Sequence, residues 1–279
     1  MSSIPRDHHP GDGRAGPAAA AWRAHATASI VHATLEVLLD AAPSATDPLA
    51  AELLGAEAAG VWWSPAGESL VAIAEHERLV GRAYAAHLAE LADAPALAAL
   101  RSLQLGAGDG MVPEVRSAAD RLAAGGVPDP GWWSAADDLE ALRGAHVSWR
   151  DDGHDYTSLL LEVDRAGIVL TMAVATLDDC SGVVGDVLLF TDLDGFADVV
   201  RDPVDGRRLH WCAPAAIQRR IRHAIDRTDL LGVGDPPGSS RPEIGYVGLR
   251  SLAQRWSDAP SAGGPPPGSR ETVDPAPAE

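Results

Sequence analysis

The sequence contains no lysine and no asparagine, so all 22 of its basic side chains other than histidine are arginine. Without lysine there is no Schiff-base nucleophile and no phosphate loop of the GK[ST] type. Without asparagine there is no N-glycosylation sequon. Cysteine occurs twice, at Cys180 and Cys212, too few for a disulfide framework or a four-thiolate zinc site. No run of about 18 apolar residues is present to span a bilayer. The first residues, "MSSIPRDHHPGDGRAGP", lack the apolar core of a signal peptide. These absences set a soluble, cytoplasmic protein as the expectation. Phenylalanine and tyrosine are scarce, at two and three residues, and the eight tryptophans supply most of the bulky core anchors.

What is abundant is alanine, leucine and acid. Aliphatic composition of this kind favours helix. The 40 acidic residues outweigh the arginines and give a formal net charge of −18. Such a field repels phosphate backbones, so nucleic acid is not the expected partner, and without a spanning apolar run neither is a membrane. The densest basic stretch holds Arg219, Arg220, Arg222 and Arg227 around His223. On a helix these spread around the axis and are diluted by Asp226 and Asp229, which reads as a solvated helix face.

Residues 1–17 and 259–279 are rich in Pro, Gly and charge and read as disordered tails. Between them, residues 18–143 read as a helical domain. Apolar residues recur at helical spacing from Ala18 to Ala42, and Thr46 or Asp47 caps a helix that opens on Pro48 and ends near Gly60. Three further helices follow, in "GESLVAIAEHERLVGRAYAAHLAELA", "APALAALRSLQLGA" and "VPEVRSAADRLAAGG". Residues 144–258 read as an α+β domain. "AHVSWR", "YTSLLLEVD", "GIVLTMAVAT" and "GVVGDVLLFTD" are β-rich, and the first three are joined by short turns, which predicts an antiparallel meander. A short helix at 195–201, an edge strand in "RRLHWCA" and two final helices complete an α+β fold with helices on one sheet face.

"VLLFTDLDGF", residues 187–196, resembles the nucleophile motif of the haloacid dehalogenases. That resemblance implies Asp192 as nucleophile, Asp194 as general acid-base, and Asp235 in "LLGVGDPPG" as part of a later magnesium-binding acidic motif. The chain departs from the family at Phe196, in the roughly forty residues between Asp194 and Asp235, and in the antiparallel setting of the preceding strand. A Rossmann-like core needs several βα units between those motifs. The competing expectation is a strand that ends in an acidic turn. A related metal-binding reading gathers Asp178, Asp186, Asp192 and Asp194 around a hard cation, with Asp179 beside them, and requires their oxygens to converge.

The remaining candidates are weaker in pattern. His154 beside Asp155 sits in a hairpin turn, where sequence neighbours point apart. His25 with His32, and His76 with His87, each share a helix face, but not at the i, i+4 spacing of HExxH. Cys212, next to Trp211 and two residues from His210, reads as a small buried hydrophobe. The tryptophan pairs at 62–63 and 132–133 close helical stretches, and Trp63 and Trp133 are candidates to line a ligand cleft between the two halves.

"DPLAAELLGAEAAGVWW", "GVPDPGWW", the four-strand meander with "GVVGD", and "AIQRRIRHAIDRTD" together resemble a family of high-GC actinobacterial proteins without an assigned activity. The resemblance spans roughly residues 20–257 and implies a shared fold, with no site residues to carry over. The expected function is a non-catalytic binding or regulatory protein that recognises a protein or small molecule at the junction of its halves. No cofactor is expected. The alternative is a metal-dependent hydrolase or phosphatase built on the aspartate cluster.

Overall fold

The computed structural model describes residues 32–60, 70–151, 154–177, 182–200, 208–231 and 246–261. It has the expected α+β architecture. Helix α1 covers residues 32–41, followed by α2 (Pro48–Gly60), α3 (Leu70–Leu91), α4 (Ala94–Gly106) and α5 (Val112–Ala124). Strands β1 (Leu139–Asp151), β2 (His154–Arg165), β3 (Ile168–Leu177) and β4 (Val183–Phe190) come next. Then follow α6 (Leu193–Val200), β5 (Arg208–Cys212), α7 (Pro214–Leu231) and α8 (Tyr246–Ser257).

Local chemistry places several helix ends. The Asp47 carboxylate accepts the Ala50 N–H at 2.8 Å, and Asp93 accepts the Ala96 N–H at 2.9 Å. Each satisfies an orphan donor of a first helical turn and leaves a proline near the helix start. Helix α5 stops at Gly125 and Gly126, and Gly126 takes the left-handed conformation at φ 94°.

Helix α2 is buried nearly all round because it lies between α4 and α8. Its crossing with α4 depends on two glycines. A Cβ on Gly55 would stand 2.0 Å from the Ser102 carbonyl oxygen, and one on Gly106 would stand 2.2 Å from that of Glu52. The two backbones are in contact, so no larger residue fits without separating the helices.

The sheet is antiparallel throughout, in the order β4-β3-β2-β1-β5. The β2–β3 hairpin turns on Ala166 and Gly167, both at positive φ (53° and 86°), the twist that a two-residue hairpin needs. One sheet face presents Leu159, Leu161, Met172, Val174 and Val187 to α7 and α8. The opposite face carries Ala145, Leu160 and Ala173 under Leu193 and Phe196 of α6.

Two boundaries differ from the sequence reading. Strand β1 begins at Leu139 rather than near Ala145, because a bulge between Ala141 and Arg143 breaks the alternation that marks a strand in sequence. Residues 259–261, read as the start of a tail, are held in place. The Gln218 amide donates to the Ala259 carbonyl at 2.8 Å and accepts from the Ser261 hydroxyl at 2.9 Å. The Pro260 carbonyl accepts the Ala141 N–H at 2.8 Å, which covers the part of the β1 edge that β5 leaves open.

Candidate functional site

The described aspartates of this stretch, Asp186, Asp192 and Asp194, do not gather. Asp192 turns back on its own chain, accepting the Gly195 N–H at 2.7 Å as the cap of α6. Asp194 lies 3.0 Å from Arg143, whose guanidinium also grips Glu162. Asp186 accepts the N–H of Val187 at 2.8 Å, beside a bulge in β4. Four residues of strand, about 13 Å, separate it from Phe190, and Asp192 lies beyond. Asp178, Asp179 and Asp235 lie outside the described residues. Among the described residues, no group of three or more His, Cys, Asp or Glu side chains is arranged to hold a metal ion. Here "VLLFTDLDGF" is a strand followed by an N-cap.

Of the tryptophan candidates, Trp63 and Trp62 lie outside the described residues. Trp133 packs edge to face on buried Trp132 and carries the Arg101 guanidinium 4.1 Å above its ring. Arg101 is itself fixed by Asp129 and Asp120, each at 2.8 Å, so this ring face is already occupied by protein. His32 meets His87 edge to face at 6.3 Å rather than acting with His25, which lies outside the described residues. His154 pairs with Asp151 across the β1–β2 turn.

The junction of the halves is filled with charge that is paired within the protein. Glu52 of α2 and Arg165 at the end of β2, both fully buried, meet at 2.7 Å. Arg165 also donates to the carbonyls of Ala135 and Asp138, at 3.2 and 3.0 Å. Trp256 Nε1 donates to Glu52 at 3.3 Å, and Arg255 Nε stands 2.9 Å from it, close in charge but off the hydrogen-bond axis. Burial pushes the Glu52 carboxyl above its ordinary range, and Arg255 and Arg165 offset only part of that. A second knot joins α3, α7 and α8: Arg250 reaches Glu77 at 2.8 Å and Asp229 at 2.6 Å, and the Tyr246 hydroxyl donates to Asp229 at 2.9 Å. At the rim of the junction a cleft of about 280 Å³ remains, lined by Gln104, Arg116, Leu139, Arg255 and Asp258 among others.

A larger pocket, about 450 Å³, opens between α7 and the sheet. Its walls are Ala216, Arg219, Arg220, His223 and Ala224 of α7, and its floor is Leu159 of β2 with Thr176 of β3 and Gly182. Helical spacing puts Arg219 and His223 one turn apart and Arg220 beside them. Arg222 points elsewhere, to Asp258 and Asp109. Among the described residues, no carboxylate lies within ion-pair distance of Arg219, Arg220 or His223, in a chain with 40 acids.

The sheet extends this environment. Cross-strand pairing sets His146 directly beside the floor residue Leu159, and His210 directly beside His146. The two imidazoles stack at 5.1 Å with a 19° tilt, and Cys212 Sγ lies 3.7 Å from His146 Nδ1. One row further along, the hydroxyls of Ser148 and Thr157 are bonded at 2.8 Å, and Thr176 Oγ1 donates to the Thr157 carbonyl at 3.0 Å. The pocket region thus combines arginine, imidazole and hydroxyl over an apolar floor.

The sequence placed the arginines of α7 on a solvated face, and Arg219, Arg220 and His223 are exposed at the pocket edge; it read Cys212 as a small hydrophobe, and Cys212 packs half-buried against the core. The sequence did not single out His146. The signal was the i, i+2 pair His146 and Ser148, which aligns two polar side chains on the face that α7 covers.

No family model, curated protein or solved structure matches the chain. Among the described residues, no helix is long and apolar enough to cross a membrane.

Proposed function

We propose that this protein is a non-catalytic binding protein and that its ligand is a small organic anion seated between α7 and the sheet. One observation carries the reading: Arg219, Arg220 and His223 line one pocket, and among the described residues no carboxylate lies within ion-pair distance of them. In a strongly acidic protein, unpaired cations at a concave site are the natural counterpart of an anionic group. Leu159, Ala216 and Ala224 suit a short apolar body attached to that group. The junction of the halves supports the reading less well, because its buried charges are already matched by each other.

The test is calorimetric titration and thermal unfolding with benzoate, phenyl phosphate and benzenesulfonate. Binding that stabilises the native state by about 2.7 kcal/mol at a hundredfold excess over Kd is the scale to expect. Arg219→Ala with Arg220→Ala removes the binding, and a charge-matched control, Arg116→Ala with Arg121→Ala on α5, leaves it intact. The absence of binding by any of the three at millimolar concentration, or binding that survives the α7 double substitution, overturns the reading.

A further inference from the structure

The α7 pocket has a neighbour that a single anionic group does not use. His146 is the cross-strand partner of Leu159, so its ring borders the pocket floor, and His210 stacks on its far side at the sheet edge. Arg220 stands at the pocket rim on the same side: its positive charge acts on both His146 and Cys212. Arg219 and Arg220 on α7 thus face the same side of the sheet as the stacked His146–His210 pair.

Resting on the anion reading of the pocket, we propose that the stacked His146–His210 pair is a second, proton-accepting subsite, so that the ligand is an organic dianion whose binding takes up a proton. One anionic group sits against Arg219 and His223, the hydrocarbon body lies over Leu159, and the other group meets Arg220 and the imidazoles.

The physical basis is reciprocal. Burial, the charge of Arg220 and the neighbouring His210 all hold His146 below the ordinary imidazole range, so the free protein keeps it neutral near pH 7. An anion against Arg220 cancels the repulsion and supplies a partner for imidazolium. Among the described side chains, the charged and titratable groups on this side are Arg219, Arg220 and His223 from α7 and Cys212 from β5, and Arg208 holds the next same-face register position to His210 on β5. The facing positions on β2 and β3 are Leu159, Thr157 and Thr176, which do not titrate. Burial raises the Cys212 thiol, which therefore stays neutral and offers no counter-charge. Two imidazoles stacked this closely oppose double protonation, so the uptake is one proton.

The experiment uses probes whose own charge is constant between pH 5.5 and 8: benzenesulfonate and 1,3-benzenedisulfonate. Each is titrated calorimetrically into the full chain, in buffers of different ionisation enthalpy. The disulfonate is expected to bind more tightly as pH falls, approaching tenfold per unit, with about one proton taken up per ligand. The monosulfonate is expected to show a weaker dependence. His146→Gln with His210→Gln flattens the disulfonate profile while binding at pH 8 persists, and His87→Gln, on α3 and outside the pocket, leaves the slope in place. Disulfonate binding that is independent of pH, or whose slope follows His223 instead, overturns the proposal. Failure of both probes at every pH overturns instead the anion reading of the pocket.

Discussion

Removal of Arg165 leaves the most deeply buried carboxylate described in this protein with Arg255 as its remaining cation. Arg165→Met keeps the volume and apolar stem while deleting the 2.7 Å ion pair to Glu52 and two hydrogen bonds to the Ala135 and Asp138 carbonyls. Glu52 is then left, at zero exposure, with Trp256 at 3.3 Å and an off-axis Arg255. Breaking one side of a buried pair costs about 3–5 kcal/mol, because the remaining charge stays desolvated. The pH dependence has a definite sign. Burial already raises the folded-state pKa of Glu52 above its unfolded value, and loss of Arg165 removes terms that lower it. For such a carboxyl, stability is greatest below the unfolded pKa and is lost as pH rises through the folded one. The defect in Arg165→Met is therefore largest near pH 8 and shrinks toward pH 5, at up to about 1.4 kcal/mol per unit. Adding Glu52→Gln removes the stranded charge and should recover about half the loss at pH 8, with little effect at pH 5. Urea unfolding followed by tryptophan fluorescence reads this directly, since Trp256 touches Glu52. A loss below about 1 kcal/mol in Arg165→Met, or additive losses in the double variant, would refute the argument.

Two further outcomes follow from single contacts. Gly55→Ala drives a methyl to 2.0 Å from the Ser102 carbonyl and must part α2 from α4, so a loss of about 2–3 kcal/mol is expected in denaturant unfolding; an unchanged midpoint would mean that the crossing yields freely. Asp192→Ala removes the α6 cap at a cost of about 1 kcal/mol, the same with or without millimolar magnesium, and a magnesium-dependent difference would restore a metal role to Asp192.

The parts of this protein that were legible in its sequence are those decided within a few residues. Asp47 lies just before its helix, and a side chain three residues from an orphan N–H needs no tertiary partner to reach it; Asp93 caps α4 in the same way. The β2–β3 hairpin is written in Ala166 and Gly167, and the meander follows because a turn that short permits only antiparallel neighbours. The strand ending at an acidic turn in "VLLFTDLDGF" was likewise readable, although the helix that Asp192 caps begins at Leu193 rather than 195. The N-terminal part of β1 was not, because the bulge at Ala141–Arg143 erases the period of two.

Only the tertiary structure decided which charges meet. Glu52 and Arg165 are 113 residues apart in sequence, and Glu77 and Arg250 are 173 apart. Nothing local marks either pair, since a buried ion pair is defined by the surfaces that enclose it. The same holds for the candidate site. Sequence showed four arginines and a histidine spread around α7, and the docking angle of that helix on the sheet chose Arg219, Arg220 and His223 for the pocket while sending Arg222 to Asp258. Strand pairing then brought His146 and His210, 64 positions apart, into one stack beside it. Short-range chemistry set the elements of this chain, and the packing of α7 on five antiparallel strands set what those elements jointly offer a ligand.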